Sequence, residues 1–306
     1  VVDLDTAEGK VAAEAGVAAR ETLARLPCPS VALTVGTRSA VAPELIDCFD
    51  VVVGSHSELE PILETTWRTP LAAAALVQLL RQSTKLEMHE GLIAESLVYS
   101  TLQSGPEFGR WLGARPAGAA RKPNPEPAVL VDRSDNRLEL TLNRPEKRNA
   151  FSAEIRDALA EGLQIAVGDP SITEVVLRGA GPAFCSGGDL DEFGTLPDPA
   201  TAHIIRSTRN AARLLGACAD RVRVEVQGAC VGAGIELPAF ARQVVAAADA
   251  FFQLPELHMG LVPGAGGTVS IPRRIGRQRT AYLALSGSRL DATTALAWGL
   301  VDEISS

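Results

Sequence analysis

Short apolar strands that return through helices across residues 128–306, behind a first segment that reads as mostly helical, predict an α/β protein. Two further observations shape that expectation. Arg115–Pro127 (RPAGAARKPNPEP) carries four prolines and no periodicity, so it reads as a stiff, extended connector. Aromatic residues make up 4% of the chain against 46% apolar residues, so the core has to be built from Ala, Val, Leu and Ile. The 306 residues are therefore expected to divide into a segment of residues 1–115, a linker of residues 116–127 and a core of residues 128–306.

Ala7–Leu26 is alanine-rich with apolar residues at helical spacing, and Val31–Val35 is a short apolar strand. Pro70–Arg81 (PLAAAALVQLLR) is a helix with proline in its first turn, where the missing N–H costs nothing. Gly91–Leu102 is an amphipathic helix closed near Gly105-Pro106. With Pro106–Leu112 it carries Leu92, Ile93, Leu97, Val98, Leu102, Phe108, Trp111 and Leu112, too much apolar surface to leave uncovered. Past the connector, Val129–Asp132 and Arg137–Leu142 are paired strands. Ser152–Val167 is a helix capped by Ser152. Val175–Arg178 is a buried strand that runs into Gly179-Ala180-Gly181. Ala200–Ala219 is a helix, Val222–Val226 a strand, and Gly234–Ala241 a short helix opened by a glycine turn. Val244–Ala247 and Phe251–Phe252 are short strands, and Thr280–Leu285 and Ala292–Trp298 are helices.

A net charge of −8 and a pI of about 5.2 argue against nucleic acid or an anionic membrane as partner, while leaving room for a small anionic ligand on a local basic patch. No apolar run reaches the roughly 20 residues of a membrane span, and Val1-Val2-Asp3-Leu4-Asp5 does not read as a signal peptide. Five cysteines without C-x-x-C spacing fit reduced thiols, so a cytoplasmic location is expected. His56, His89 and His203 stand alone, and no metal or separate cofactor is expected.

Three glycine turns carry the chemistry. Phe184-Cys185-Ser186-Gly187-Gly188-Asp189 leads from a strand into a helix start, where unpaired N–H groups make a positive site for developing negative charge. Gly232-Ala233-Gly234-Ile235-Glu236 repeats the device and ends in an acid. Pro255-Glu256 precedes a third, Pro263-Gly264-Ala265-Gly266-Gly267. Two carboxylates with two exposed N–H groups can activate water, move a proton and hold an oxyanion. Taken singly, Asp189 reads as a helix cap, and Cys185 as a packed thiol with no His placed to activate it. His258 reads as a turn or surface residue.

Asn143–Ser152 (NRPEKRNAFS), AFCSGGDL, GAGIEL, LPELHMGLVPGAGGT and WGLVDE, in this order over about residues 129–303, resemble the crotonase (enoyl-CoA hydratase/isomerase) superfamily. The resemblance implies a crotonase-like ββα spiral core and an acyl-CoA substrate, with coenzyme A belonging to the substrate. It also implies a homotrimer or a dimer of trimers. It places the two oxyanion donors at Gly188 and Ala233; the family usually has glycine at the second, and alanine keeps the N–H. Glu236 and Glu256 fall on the two hydratase acids, and Gly264 on a glycine of the water site. Lys147, Arg148 and Ala150 fall where the family grips CoA, and Ser186 on a carbonyl that holds the pantetheine arm. Asp189 and Leu190 of the same motif join the substrate-binding set. The expected reaction is hydration of an α,β-unsaturated acyl-CoA, Glu236 mainly activating water and Glu256 mainly delivering the proton at C2. Double-bond isomerisation, thioester hydrolysis and a non-catalytic CoA-binding scaffold stay open as alternatives.

Crotonases continue past WGLVDE with helices, and residues 69–82 and 90–115 look like that tail. Val35–Val53 parallels Gln227–Val245 at an offset of 192, with Gly36, Glu44, Leu45, Val52 and Val53 identical to Gly228, Glu236, Leu237, Val244 and Val245. The first segment is therefore expected to be a degenerate crotonase-like repeat whose helices supply the packing over the core, with an unrelated helical extension as the alternative. Glu44 follows no glycine turn, so no second active site is expected.

Overall fold

The computed structural model describes residues 1–5, 16–35, 43–83, 85–116, 124–195 and 198–305. In the first segment β1 (Val2–Asp3), β2 (Val31–Leu33) and β3 (Val51–Val53) form a small parallel sheet, with α1 (Gly16–Arg25) before β2 and α2 (Pro43–Ile46) between β2 and β3. Four helices follow: α3 (His56–Arg68), α4 (Pro70–Ser83), α5 (Met88–Gln103) and α6 (Pro106–Gly113). Then come β4 (Val129–Ser134), β5 (Arg137–Leu142), α7 (Ala153–Gly168), β6 (Glu174–Gly179), α8 (Pro199–Thr208), α9 (Ala211–Ala217), β7 (Val222–Val226), β8 (Ala229–Val231) and α10 (Ala233–Glu236). The chain continues through β9 (Gln243–Ala247), β10 (Phe251–Gln253), α11 (Gly267–Ser286, broken at Gly276), β11 (Leu290–Asp291), α12 (Ala292–Trp298) and β12 (Glu303–Ser305).

β4 and β5 pair antiparallel, and the rest of the large sheet, ordered β12-β9-β7-β6-β5-β4, is parallel. A smaller sheet, β11-β10-β8, completes this α/β core. Strict alternation along β5 and β7 decides its faces. Leu138, Leu140, Leu142, Val222, Val224 and Val226 point into the core, while Glu139, Arg178 and Glu225 form ion pairs across the strands on the other face and Arg223 pairs with Glu225 along β7.

The first segment's helices pack on this core within the same chain: α3 and α4 against α11, and α5 against α8 and α11. Glu107 on α6 closes the start of α4 by accepting from Leu71 N (2.8 Å) and Ala72 N (3.0 Å). Asp50, buried after α2, accepts from Ser30, Arg81 and Arg277 and so joins the small sheet, α4 and α11. The small sheet repeats the pairing of the large one. Val31, Ala32 and Leu33 face Val51, Val52 and Val53; Arg223, Val224 and Glu225 face Gln243, Val244 and Val245. Adding the offset of 192 to every number in the first set gives the second. Glu44, the counterpart of Glu236, is exposed on α2, whereas Glu236 is buried on α10.

Several expectations need correction. The helix expected over Ala200–Ala219 is two helices, because Asn210 Oδ1 accepts from Arg213 N (2.9 Å) and opens a new one. The helix expected over Gly234–Ala241 ends at Glu236 and gives way to a 3-10 turn over Pro238–Phe240, since proline has no N–H to continue it. α3, β1, β8, β11 and β12 were not anticipated. The face of α5 also differs from the apolar stripe: Gly91, Leu92, Glu95, Ser96, Ser100 and Leu102 are buried while Leu97 is 50% exposed. Of the helix expected over Ala7–Leu26, residues 6–15 lie outside the described residues, as do Gly36 and residues 117–123 of the connector. Among the described residues no helix is long and apolar enough to cross a membrane.

Candidate active site

The first glycine turn is held from below by the NRPEKRNAFS segment. Pro145–Lys147 forms a 3-10 turn, and Arg148 and Asn149 follow at φ of 52° and 53°. Asn149 tolerates that left-handed backbone because its amide is fully used: it accepts from Arg144 N and donates to Ala180 O and Ala183 O. The next strand turn then locks on, with Phe151 N donating to Gly187 O (2.7 Å) and Asp189 N to Phe151 O (3.2 Å). These two bonds straddle Gly188. Among the described residues its N–H has no protein acceptor.

The second turn is built on β8, which Cys185 holds by two backbone bonds. Gly232 then takes φ 51° and ψ −119°, a conformation open to glycine, and starts α10 at Ala233. The Ala233 N–H is the first of that helix and also lacks a protein acceptor among the described residues. Gly232 has a second reason to be glycine. A Cβ there would stand 2.4 Å from Glu256 Oε1 and 3.7 Å from Glu236 Oε1, so both acids converge on this point.

Glu236 and Glu256 are 2% and 7% exposed. Glu236 Oε2 accepts from Ala265 N (2.7 Å) and Gly267 N (2.9 Å) at the start of α11. Among the described residues Glu256 Oε2 is buried without a partner. Burial pushes the Glu256 carboxyl up to about 8, and the charge of Glu95 adds to it. Burial, and then the charges of Glu256 and Glu95, push Glu236 well above the usual carboxylate range against its two N–H bonds. Burial likewise raises the Cys185 thiol to about 12, as a packed thiol requires.

Gly188, Ala233, Glu236, Glu256, Ser186, Asp189, Leu190 and Gly264 all line one cavity of about 460 Å³. Lys147, Arg148 and Ala150 do not line it. Lys147 Nζ instead pairs with Asp189 (3.2 Å) and Asp191 (3.0 Å), and Arg148 is exposed. Asp189 serves the cap anticipated for it, accepting from Asp191 N. His258, read as a surface residue, is exposed and also borders the cavity.

Sequence reasoning missed the opposite wall, which comes from the first segment. Glu95, Ser96, Tyr99 and Gln103 on α5 and Trp111 on α6 all line the cavity. Tyr99 lies against Gly264, where a Cβ would come within 2.4 Å of its ring, and the Arg206 guanidinium sits over the ring, 4.6 Å from its centroid. Glu95 is 2% exposed and accepts from Gly266 N (2.7 Å), Thr268 N (2.9 Å) and Thr268 Oγ1 (2.7 Å). The helical period contained the signal: Leu92, Glu95, Ser96 and Tyr99 share one face.

A family model described as Enoyl-CoA hydratase/isomerase matches residues 132–306. The 1,2-epoxyphenylacetyl-CoA isomerase of Escherichia coli (strain K12) is 37% identical over 172 residues, covering 55% of this chain and 65% of that protein. The 2,3-dehydroadipyl-CoA hydratase of the same organism is 36% identical over 176 residues, covering 58% of this chain and 68% of its own. The crystal structure of enoyl-CoA hydratase from Thermoplasma volcanium GSS1 superposes with a TM-score of 0.54 at 34% identity, covering 59% of this chain and 72% of that one.

Proposed function

Because the chain belongs to the enoyl-CoA hydratase/isomerase family, we propose that its cavity adds water across the α,β double bond of an acyl-CoA thioester. The observation that carries this reading is the convergence of Glu236 and Glu256 beside two unengaged N–H groups. Water forms a bond to C3 while the π electrons move onto the thioester oxygen, where the Gly188 and Ala233 N–H groups stabilise the enolate. C2 then takes a proton. A pair of buried acids this close works with one proton between them. The N–H bonds from Ala265 and Gly267 favour the anion on Glu236, which takes the proton from water. The unpartnered Oε2 favours the proton on Glu256, which delivers it to C2. Lys147 and Arg148, on the turn outside the cavity, meet the phosphates of CoA. Moving a double bond needs one acid, so two converging acids favour hydration.

The test is turnover of a short enoyl-CoA. Glu236→Gln and Glu256→Gln should each lower kcat by about 10²–10⁴-fold while the affinity for a saturated acyl-CoA stays near that of the wild type. Hydration near the wild-type rate in either variant would refute the pair.

A further inference from the structure

We propose that Glu95, carried on α5 outside the family-matched residues, is a positioning residue of this reaction: it fixes the loop that orients Glu236, and its negative charge keeps a proton on the Glu236–Glu256 pair. The inference rests on the hydration reading above.

Four consecutive N–H groups support the first half. Ala265 N goes to Glu236, Gly266 N to Glu95, Gly267 N to Glu236 and Thr268 N to Glu95. The two carboxylates thus share the start of α11 alternately, so Glu236 cannot rotate unless the loop held by Glu95 moves. A carboxylate suits this task because both of its oxygens accept; an amide has one acceptor.

Charge supports the second half. The groups facing Glu95 are Glu236 and Glu256 from the core, Tyr99 on its own helix and Arg206 on α8; His203 on α8 bonds to Ser96. Arg206 is hydrogen-bonded to the neutral Ser96, Ser100 and Gln103. Three ionised carboxylates would leave this buried cluster with one cation to balance them, so it retains protons. Burial pushes the Glu95 carboxyl up to about 7, but its three hydrogen bonds from Gly266 and Thr268, more than either partner accepts from other residues, hold it below the value of about 8 reached by Glu256, so above about pH 7 it is the better place for a negative charge. That charge then opposes ionisation of the other two.

The experiment is the pH profile of hydration from roughly pH 5 to roughly pH 10 for the full chain, Glu95→Gln and Thr268→Val, each checked by circular dichroism. Thr268→Val removes one bond to Glu95 without touching the cavity. Removing the charge lowers the affinity of the pair for protons, so both limbs of the bell should slide toward acid. The slide should be at least about half a pH unit in Glu95→Gln and smaller, with the same sign, in Thr268→Val. Glu95→Gln should also lose about 10- to 100-fold in kcat with little change in KM. A lower bell at an unchanged pH, in folded protein, would show a purely structural role and overturn the proposal. Carbon-13 carboxyl titration by NMR separates this from the hydration reading, because it needs no turnover. The Glu236 and Glu256 signals should titrate at lower pH in both variants even if the substrate is another one, and unmoved signals overturn the proposal. If Glu95→Gln does not fold, Thr268→Val decides alone.

Discussion

At the scale of single residues, Ala233 separates what a backbone position needs from what a side chain adds. Its methyl is buried, it borders the cavity, and its N–H is the first of α10. Proline is accepted at that helical position because the N–H there has no intrahelical partner. Ala233→Pro should therefore keep the melting temperature within a few degrees while kcat/KM for hydration falls by at least about 10²-fold. A variant that melts normally and turns over normally would remove Ala233 from the oxyanion site. The turns that carry Gly188, Ala233, Glu236 and Glu256 were legible in the sequence because the shape of a short glycine turn is local, whereas Ser186 and Gly264 were singled out by the family resemblance. Glu95 was not, because its partners lie more than 170 positions away. A carboxylate on a helix that also carries Glu90 gives no hint of which N–H groups it meets.

At the scale of elements, caps decided where the periodicity misled. Apolar residues on both sides of a polar run, Ile204 and Ile205 before it and Ala211 and Ala212 after it, keep a seven-residue spacing that reads as one helix, but Asn210 takes φ −99° and ψ 97° and caps α9 with its side chain. Asn210→Ala should cost about 1 kcal/mol, read as a fall in the urea midpoint at constant m-value; an unchanged midpoint would mean the break is set by packing. Ser152 shows the opposite case: the cap was visible and the helix starts where it should, with Ser152 Oγ accepting from Ile155 N (3.2 Å). The buried face of α5 was misjudged for a different reason. Burial there follows the polar site it covers, and Leu97 is left outside.

At the scale of the whole chain, the core's alternating strands made the α/β class readable, while in the small sheet of two- and three-residue strands only β2 left a pattern to read. We infer that the first segment is a shortened copy of the core's strand–helix–strand unit, on the strength of the shared register in β2/β3 and β7/β9. Its helices supply Glu95 and Tyr99 and cover α11, so residues 128–306 alone should be aggregated or inactive. The comparison is size-exclusion and hydration of that fragment beside the full chain. A soluble, fully active fragment would make the first segment a separate module.

The wall of the cavity precedes its floor in the chain, and this has a consequence in time. During synthesis α4 and α5 emerge first, and α11, on which they pack, follows more than 160 residues later. At about 5–20 residues per second, that is roughly ten to thirty seconds. For that interval Leu76, Val77, Leu80 and Leu92, all buried in the finished protein, have no α11 to rest on. Glu95 meanwhile stays hydrated, and it loses water only when Gly266 and Thr268 arrive to replace it. The nascent chain therefore passes through an adhesive stage before it can have a site at all.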